Sequence, residues 1–304
     1  MSDNARPIYP WQRLLRPVRP EGQQRAPIYD AEGYLSHLTV GLEEAYELSD
    51  CDAIEAQLCV VLLGESGIGK SQIMRDLNAR IESRHRRAAP LIELGTICGY
   101  ADLKFQIDDA LASMPGTEPP TLFLDDFEHC PVADDLEKHL AKALERVQPK
   151  PRLRLAVRSG AWSPALHERL QSMWGADNVH VYELCPLRRR DVVDSFVRRG
   201  RADAQALVAS LDARGAGPLL ARPVTLLMLL EFAAAGELAG TFDRRSLYGR
   251  AMRRMADHAP ASRIGKLDPD ARLAVARRIA AISVFCGKYT LRTDMADITN
   301  PTML

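Results

Sequence analysis

Residues 58–81 restrict this chain more than any other stretch. Leu58-Cys59-Val60-Val61-Leu62-Leu63 is an uninterrupted apolar run, suited to a strand buried on both faces of a parallel sheet. Gly64-Glu65-Ser66-Gly67-Ile68-Gly69-Lys70-Ser71 follows it, a complete G-x-x-x-x-G-K-[ST] phosphate-binding loop. Ile73, Met74, Leu77 and Ile81 then fall at helical spacing, with Arg75, Asp76, Asn78 and Arg80 between them. The glycines permit backbone conformations that a Cβ forbids, so successive N–H groups can turn inward around an anion. The helix that follows adds the partial positive charge of its N-terminus. In such a loop the lysine, here Lys70, reaches the β- and γ-phosphates. The hydroxyl of Ser71 ligates Mg²⁺.

Beyond this stretch the chain alternates strand and helix. Expected strands cover 90–95, 121–127, 153–157 and 179–184, with a helix over 134–147 striped by Leu136, Leu140 and Leu144. Apolar strands alternating with helices predict a five-stranded parallel sheet covered on both faces, an α/β three-layer sandwich of the P-loop NTPase type. From Pro186 the strands stop. Helices are expected over 188–200, 202–214, 223–235, 244–258 and 268–286. Asp268 caps the last, Pro269 sits in its first turn and Gly287 ends it. The expected organisation is an extended Pro/Arg-rich arm over 1–40, a P-loop NTPase domain over 41–186 and a helical domain over 187–260. The start of a further helical or winged-helix region is expected over 261–304. In the arm, Pro7, Pro10, Pro17, Pro20 and Pro27 are too close for regular structure, and Trp11, Tyr29 and Tyr34 are its expected anchors. A polar helix is expected from about Leu35 to Glu55. The chain stops where another element begins, so it is expected to be the front of a longer design.

The charge balance narrows the partners. With 40 basic and 40 acidic residues in 304, the chain lacks the basic excess that nucleic acid or an anionic membrane selects. The clusters Arg84-His85-Arg86-Arg87 and Arg188-Arg189-Arg190 lie beside expected helix ends and read as solvated faces. No two of the six cysteines stand at metal-ligand spacing. Several lie in apolar runs, as buried thiols in a reducing cytoplasm do. No apolar run is long enough to span a bilayer.

A phosphate loop needs an acid to hold its metal. Thr121-Leu122-Phe123-Leu124-Asp125-Asp126-Phe127-Glu128 supplies candidates, an apolar strand ending in carboxylates. Ligands of open α/β sheets bind beyond the carboxyl ends of strands, so Asp125 is the expected Mg²⁺ partner, acting through water. Asp126 or Glu128 then orients or deprotonates the attacking water. The next strand ends Leu155-Ala156-Val157-Arg158. A guanidinium there can sense the γ-phosphate and stabilise the charge that builds on the transferring group.

In this order the segments resemble the NACHT branch of the STAND NTPases, over about residues 33–290. The phosphate loop, the acidic strand and the arginine-tipped strand all contribute to the likeness. Leu184-Cys185-Pro186-Leu187-Arg188-Arg189-Arg190-Asp191-Val192-Val193 resembles the segment that opens that family's helical domain. Leu219-Leu220-Ala221-Arg222-Pro223-Val224-Thr225-Leu226-Leu227 resembles its later proline motif. The resemblance implies a cytoplasmic signalling switch of the kind used in bacterial antiviral defence. ATP and ADP with Mg²⁺ would be its cofactors, hydrolysis would be slow, and the chain would form a homo-oligomer on activation. It also implies that Pro223 lies near the adenine. His129 stands where the family commonly has a second acid, so the resemblance does not carry the rate of hydrolysis. Two other readings stay open: a module that holds ADP with little turnover, and a small P-loop kinase. No guanine-reading [NT]-K-x-D motif and no lid-like Arg-rich segment is found.

Overall fold

The structure of the chain, a computed structural model, describes residues 11–19, 29–35, 48–85, 89–113, 119–127, 130, 135–144, 147–234, 249–250, 252–253, 256–257 and 268–286. The chain divides into two compact units, Met1–Gly236 and Glu237–Leu304.

The first unit is built on a seven-stranded sheet. Its strands are β1 (Leu14–Pro17), β2 (Ser49–Asp50), β3 (Cys59–Leu63), β4 (Leu91–Glu93), β5 (Thr121–Asp125), β6 (Arg152–Val157) and β7 (Val179–Leu184). They lie in the order β2-β1-β7-β3-β6-β5-β4. The block β7-β3-β6-β5-β4 is parallel throughout. These are the five expected strands, and every residue of β3 is buried. Successive residues of β3 alternate between two cores. Cys59, Val61 and Leu63 face one, shared with α2 (Tyr100–Ala112), α3 (Leu136–Leu144) and α4 (Pro164–Trp174). Val60 and Leu62 face the other, with Ile73, Met74 and Leu77 of α1 (Lys70–His85). A continuous apolar run, rather than an alternating one, follows from burial on both faces.

The expectation of five strands fails at the other edge. β1 pairs antiparallel with β7, setting Leu15 against Leu184 and Arg16 against Glu183, and β2 pairs antiparallel with β1. The sheet is therefore mixed. Closely spaced prolines exclude a helix, yet they leave room for a four-residue strand near an edge, where Pro17 closes β1. Leu14 and Leu15 provide its apolar content and are buried. The arm is thus partly built into the sheet. Its aromatic residues do anchor it: Trp11 Nε1 donates to Ser195 Oγ (2.8 Å), and the buried Tyr34 hydroxyl donates to Asp212 (2.7 Å). Arg16 pairs with Glu183, and Tyr29 donates to the same carboxylate at 3.4 Å.

The polar helix expected over 35–55 is also corrected where it is described. Residues 49–50 are strand and 51–56 are turns, while 36–47 lie outside the described residues. Asp50 Oδ1 accepts from the N–H groups of Asp52 (2.9 Å) and Ala53 (3.0 Å). Such side-chain turns compete with helix for the same backbone donors. From Leu187 onward the first unit is helical: α5 (Arg189–Arg198), α6 (Ala204–Ala213), the short α7 (Gly217–Leu220) and α8 (Pro223–Ala234).

In the second unit α9 spans Pro269–Cys286, and Asp268 Oδ1 caps it by accepting from Ala271 N (2.8 Å). Arg253 pairs with Asp270 of α9 at 2.7 Å. Most of the helix expected over 244–258 lies outside the described residues, as do 287–304. Among the described residues no helix is long and apolar enough to cross a membrane. The described cysteines, Cys51, Cys59, Cys98, Cys130 and Cys185, form no disulfide.

One buried cation holds the entry to β3. Arg154, inside β6, is 2% exposed. Its Nη2 donates to the carbonyls of Ile54 (3.1 Å), Glu55 (2.7 Å) and Gln57 (2.8 Å). Burial pushes its pKa down to about 10, so it is still a cation at neutral pH. Replacing it strands three carbonyls away from water. Arg154→Met is expected to destabilise the protein by about 3 kcal/mol or more, read as a lower urea midpoint. A midpoint equal to the parent's would show that water takes over these carbonyls.

Candidate functional site

The site forms where strand ends meet the loop. β3 and β6 are neighbours with Leu63 opposite Val157, so Gly64 and Arg158 leave the sheet side by side. β6 also pairs with β5, Leu155 opposite Leu124, which brings Asp125 to the same edge. The loop, Arg158 and Asp125 thus follow the carboxyl ends of three adjacent parallel strands. That is where ligands of open α/β sheets bind.

Within the loop Gly64, Gly67 and Gly69 all have positive φ, at 159°, 78° and 107°. Ile68 N donates to Glu65 O (3.3 Å), which closes the loop's turn, and the Ile68 side chain is buried beneath it. Lys70 opens α1 and is 7% exposed. Its ammonium donates to Gly64 O (2.6 Å) and lies 3.4 Å from Glu65 O, so the cation is held over the loop by the loop's own carbonyls. Ser71 follows in the first turn of α1, half-buried. Ser66, like Glu65, lies on the exposed crest of the loop.

Asp125 is buried at the end of β5, and its Oδ1 accepts from Asp126 N (2.8 Å). Asp126 has a φ of 62°, a conformation that short polar side chains tolerate better than most. This kink ends the strand two residues earlier than expected and turns the chain just past Asp125. Glu128 and His129 lie outside the described residues. Arg158 Nε meets Glu65 Oε2 at 3.3 Å, with the two side chains 51% and 46% exposed. A pair so exposed contributes little to stability, so Arg158 is free to exchange Glu65 for another anion.

The first turn of α8 lies directly on the loop. Val224 N donates to Gly67 O (3.3 Å). A Cβ on Gly67 would fall 2.2 Å from Val224 Cγ1. Pro223 is buried, with its Cγ 3.8 Å from where a Cβ on Gly69 would stand. The structure therefore brings Pro223, the loop and Arg158 together. Two contributors were not anticipated. Val224 makes the closest approach. Arg13, just ahead of β1, places Nη1 3.6 Å from that same Gly69 position. Trp11 and the apolar pair Leu14-Leu15, on either side of Arg13, are the local signs that this segment packs against the body.

Chemically, the arrangement joins an anion nest, a buried ammonium, a helix-start hydroxyl and a buried carboxylate. It fits a polyphosphate with a hard divalent cation. Such a cation would take one or two protein oxygens, for which the Ser71 hydroxyl and, through water, Asp125 are the candidates, with phosphate and water for the rest. Among the described residues no cluster of three or more His, Cys, Asp or Glu forms a metal cage of its own.

Among solved structures the chain is similar to a variant of RuvB from Thermotoga maritima, at 17% identity and a TM-score of 0.40, over 77% of this chain and 80% of that one. A likeness at that level carries no argument, and the α/β reading rests on the sheet order and the loop. No family model and no curated protein matches the chain.

The approach of Val224 to Gly67 generates a double-mutant cycle. Gly67→Ala is expected to cost about 2 kcal/mol or more, through positive φ and overlap with Val224. Adding Val224→Ala should recover the overlap part but not the backbone part. Urea denaturation of the four proteins gives the coupling; strict additivity would show that the helix shifts aside freely.

Proposed function

We propose that this chain is an ATP-binding, slowly hydrolysing switch of the NACHT/STAND type, plausible in bacterial defence, in which bound nucleotide sets how the helical segment sits on the phosphate loop. One observation carries the reading: α8 rests directly on the loop, through Val224 N to Gly67 O and the close approach of Pro223 to Gly69. Anything that enters the loop must then be felt by α8. The loop and Lys70 bind the phosphates. Ser71 and, through water, Asp125 would hold Mg²⁺, whose positive charge would offset the negative charge of the phosphate oxygens. Asp126 or Glu128 positions water. Arg158 reads the γ-phosphate. The domain limits of 41–186 and 187–260, assembly into a homo-oligomer and a cytoplasmic setting belong to the same proposal.

Binding and chemistry separate in two variants. Lys70→Ala should abolish measurable affinity for ATP with Mg²⁺ in calorimetry, because it removes a charge-assisted contact from a site built around phosphate. Asp125→Asn should lower hydrolysis at least tenfold and binding much less, since a positioned metal matters most in the transition state. If the parent turns over no faster than Asp125→Asn while binding ADP tightly, a static ADP-holding module is the better account.

The switch has its own test. A ligand shifts a conformational equilibrium only through contacts that differ between its states, and only the γ-phosphate distinguishes ATP from ADP. Arg158→Ala should leave ADP affinity within about twofold, because its Glu65 pair is exposed. It should also narrow the difference between ATP and ADP in limited proteolysis. A parent protein whose cleavage pattern is the same in both nucleotides would end the switch reading.

A further inference from the structure

We propose that Arg13 is a further ligand-contacting residue of the phosphate loop, and that its guanidinium meets the phosphate chain of bound nucleotide. The inference rests on the nucleotide reading above and adds to it a cation supplied by the arm. Nη1 and Cζ of Arg13 stand 3.6 and 4.0 Å from the position of a Cβ on Gly69. Gly69 immediately precedes Lys70, in the part of such loops whose N–H groups cradle the α- and β-phosphates. Pro223 borders the same point, its Cγ 3.8 Å away.

The environment of Arg13 is unusual for a cation. Burial pushes its pKa down to about 10, which leaves it charged at neutral pH. Its guanidinium donates one hydrogen bond among the described residues, from Nη2 to Cys185 O at 2.6 Å. That partner is neutral. The carboxylate of Asp191 is near, but Arg188 occupies both its oxygens, at 2.8 Å from Nε and 2.9 Å from Nη2. A guanidinium carries five donors, so among the described residues most of this fork is uncommitted. Holding a charge out of water with one neutral acceptor is costly, and an arriving anion offsets that cost.

Arg13 and Arg158 therefore divide the loop. Arg158 lies by Glu65 and meets the group that only ATP has, whereas Arg13 lies by Gly69 and meets phosphates that ADP and ATP share. Arginine suits this place better than lysine, because one edge of the fork stays on Cys185 O while another takes phosphate oxygens.

Calorimetry on the full chain with ADP, ATP and inorganic pyrophosphate, each with Mg²⁺, tests the proposal in the parent, Arg13→Ala and Arg13→Lys. Arg13→Ala should weaken all three by about tenfold to a hundredfold, the worth of a hydrogen bond to a charged group, and Arg13→Lys should recover part. Thermal unfolding adds a readout that a purely structural residue would not give. Without ligand, Arg13→Ala should melt at or above the parent temperature, since an unpaired charge has been removed. Its ADP-induced rise should shrink. An unchanged ADP affinity would overturn the proposal, as would a loss for ADP that spares pyrophosphate, which would assign Arg13 to the nucleoside. A lower melting temperature with the full ADP-induced rise would make it structural. Each of these outcomes leaves nucleotide binding by the parent intact; a parent that binds none of the three ligands would remove the nucleotide reading itself, and this inference with it.

Discussion

The approach of α8 to the phosphate loop is the contact on which the rest of the first unit depends. Val224 Cγ1 occupies space that any side chain at position 67 would need, 2.2 Å from where a Cβ would begin. A glycine required for a positive φ therefore serves twice, because its missing side chain also admits a helix. The loop is consequently lined by two sources: backbone from the sheet, and Pro223 and Val224 from the helices. Packed interfaces of this kind do not deform continuously, so the seat of α8 depends on the shape of the loop beneath it.

The arm is the third partner in this arrangement. Through β1 it extends the sheet beside β7, and through Trp11 and Tyr34 it reaches Ser195 of α5 and Asp212 of α6. Asp212 also takes Arg189 Nε at 3.0 Å, so one carboxylate joins the arm to two helices. The arm thus touches the sheet, the helices and the loop within a few residues of Arg13. Arg154 plays the matching role on the opposite side of β3, tying the turn before the strand to β6. Both arginines lose solvation, and the two differ in what they receive for it. Among the described residues the Arg154 guanidinium has four backbone hydrogen bonds and that of Arg13 has one.

Much of the site was legible because its signals are local. A glycine spacing, an apolar run and a helical stripe within residues 58–81 specify strand, loop and helix together. An apolar strand ending in Asp125, and another ending in Val157 before Arg158, mark the ends at which a ligand edge forms. The arm was misread because it pairs with distant chain. Nothing near Leu14 announces that β7 will present a free edge to it. Asp50 favoured a side-chain turn over the helix that composition alone allowed. Arg154 interrupts an apolar strand, and its partners lie about a hundred residues earlier in the chain.

The sequence by itself determined the chemistry on offer: a phosphate loop, its lysine and hydroxyl, a strand-end carboxylate and a strand-end guanidinium. These are properties of residue type and short spacing, and the five parallel strands follow from burial on both faces. Tertiary structure alone decided the strand order that brings Gly64, Arg158 and Asp125 to one edge, and the mixed sheet that the arm completes. It also decided that Val224 and Arg13 would flank the loop. Those outcomes turn on which surfaces exclude water from each other, a choice that depends on the whole chain and that no local spacing encodes.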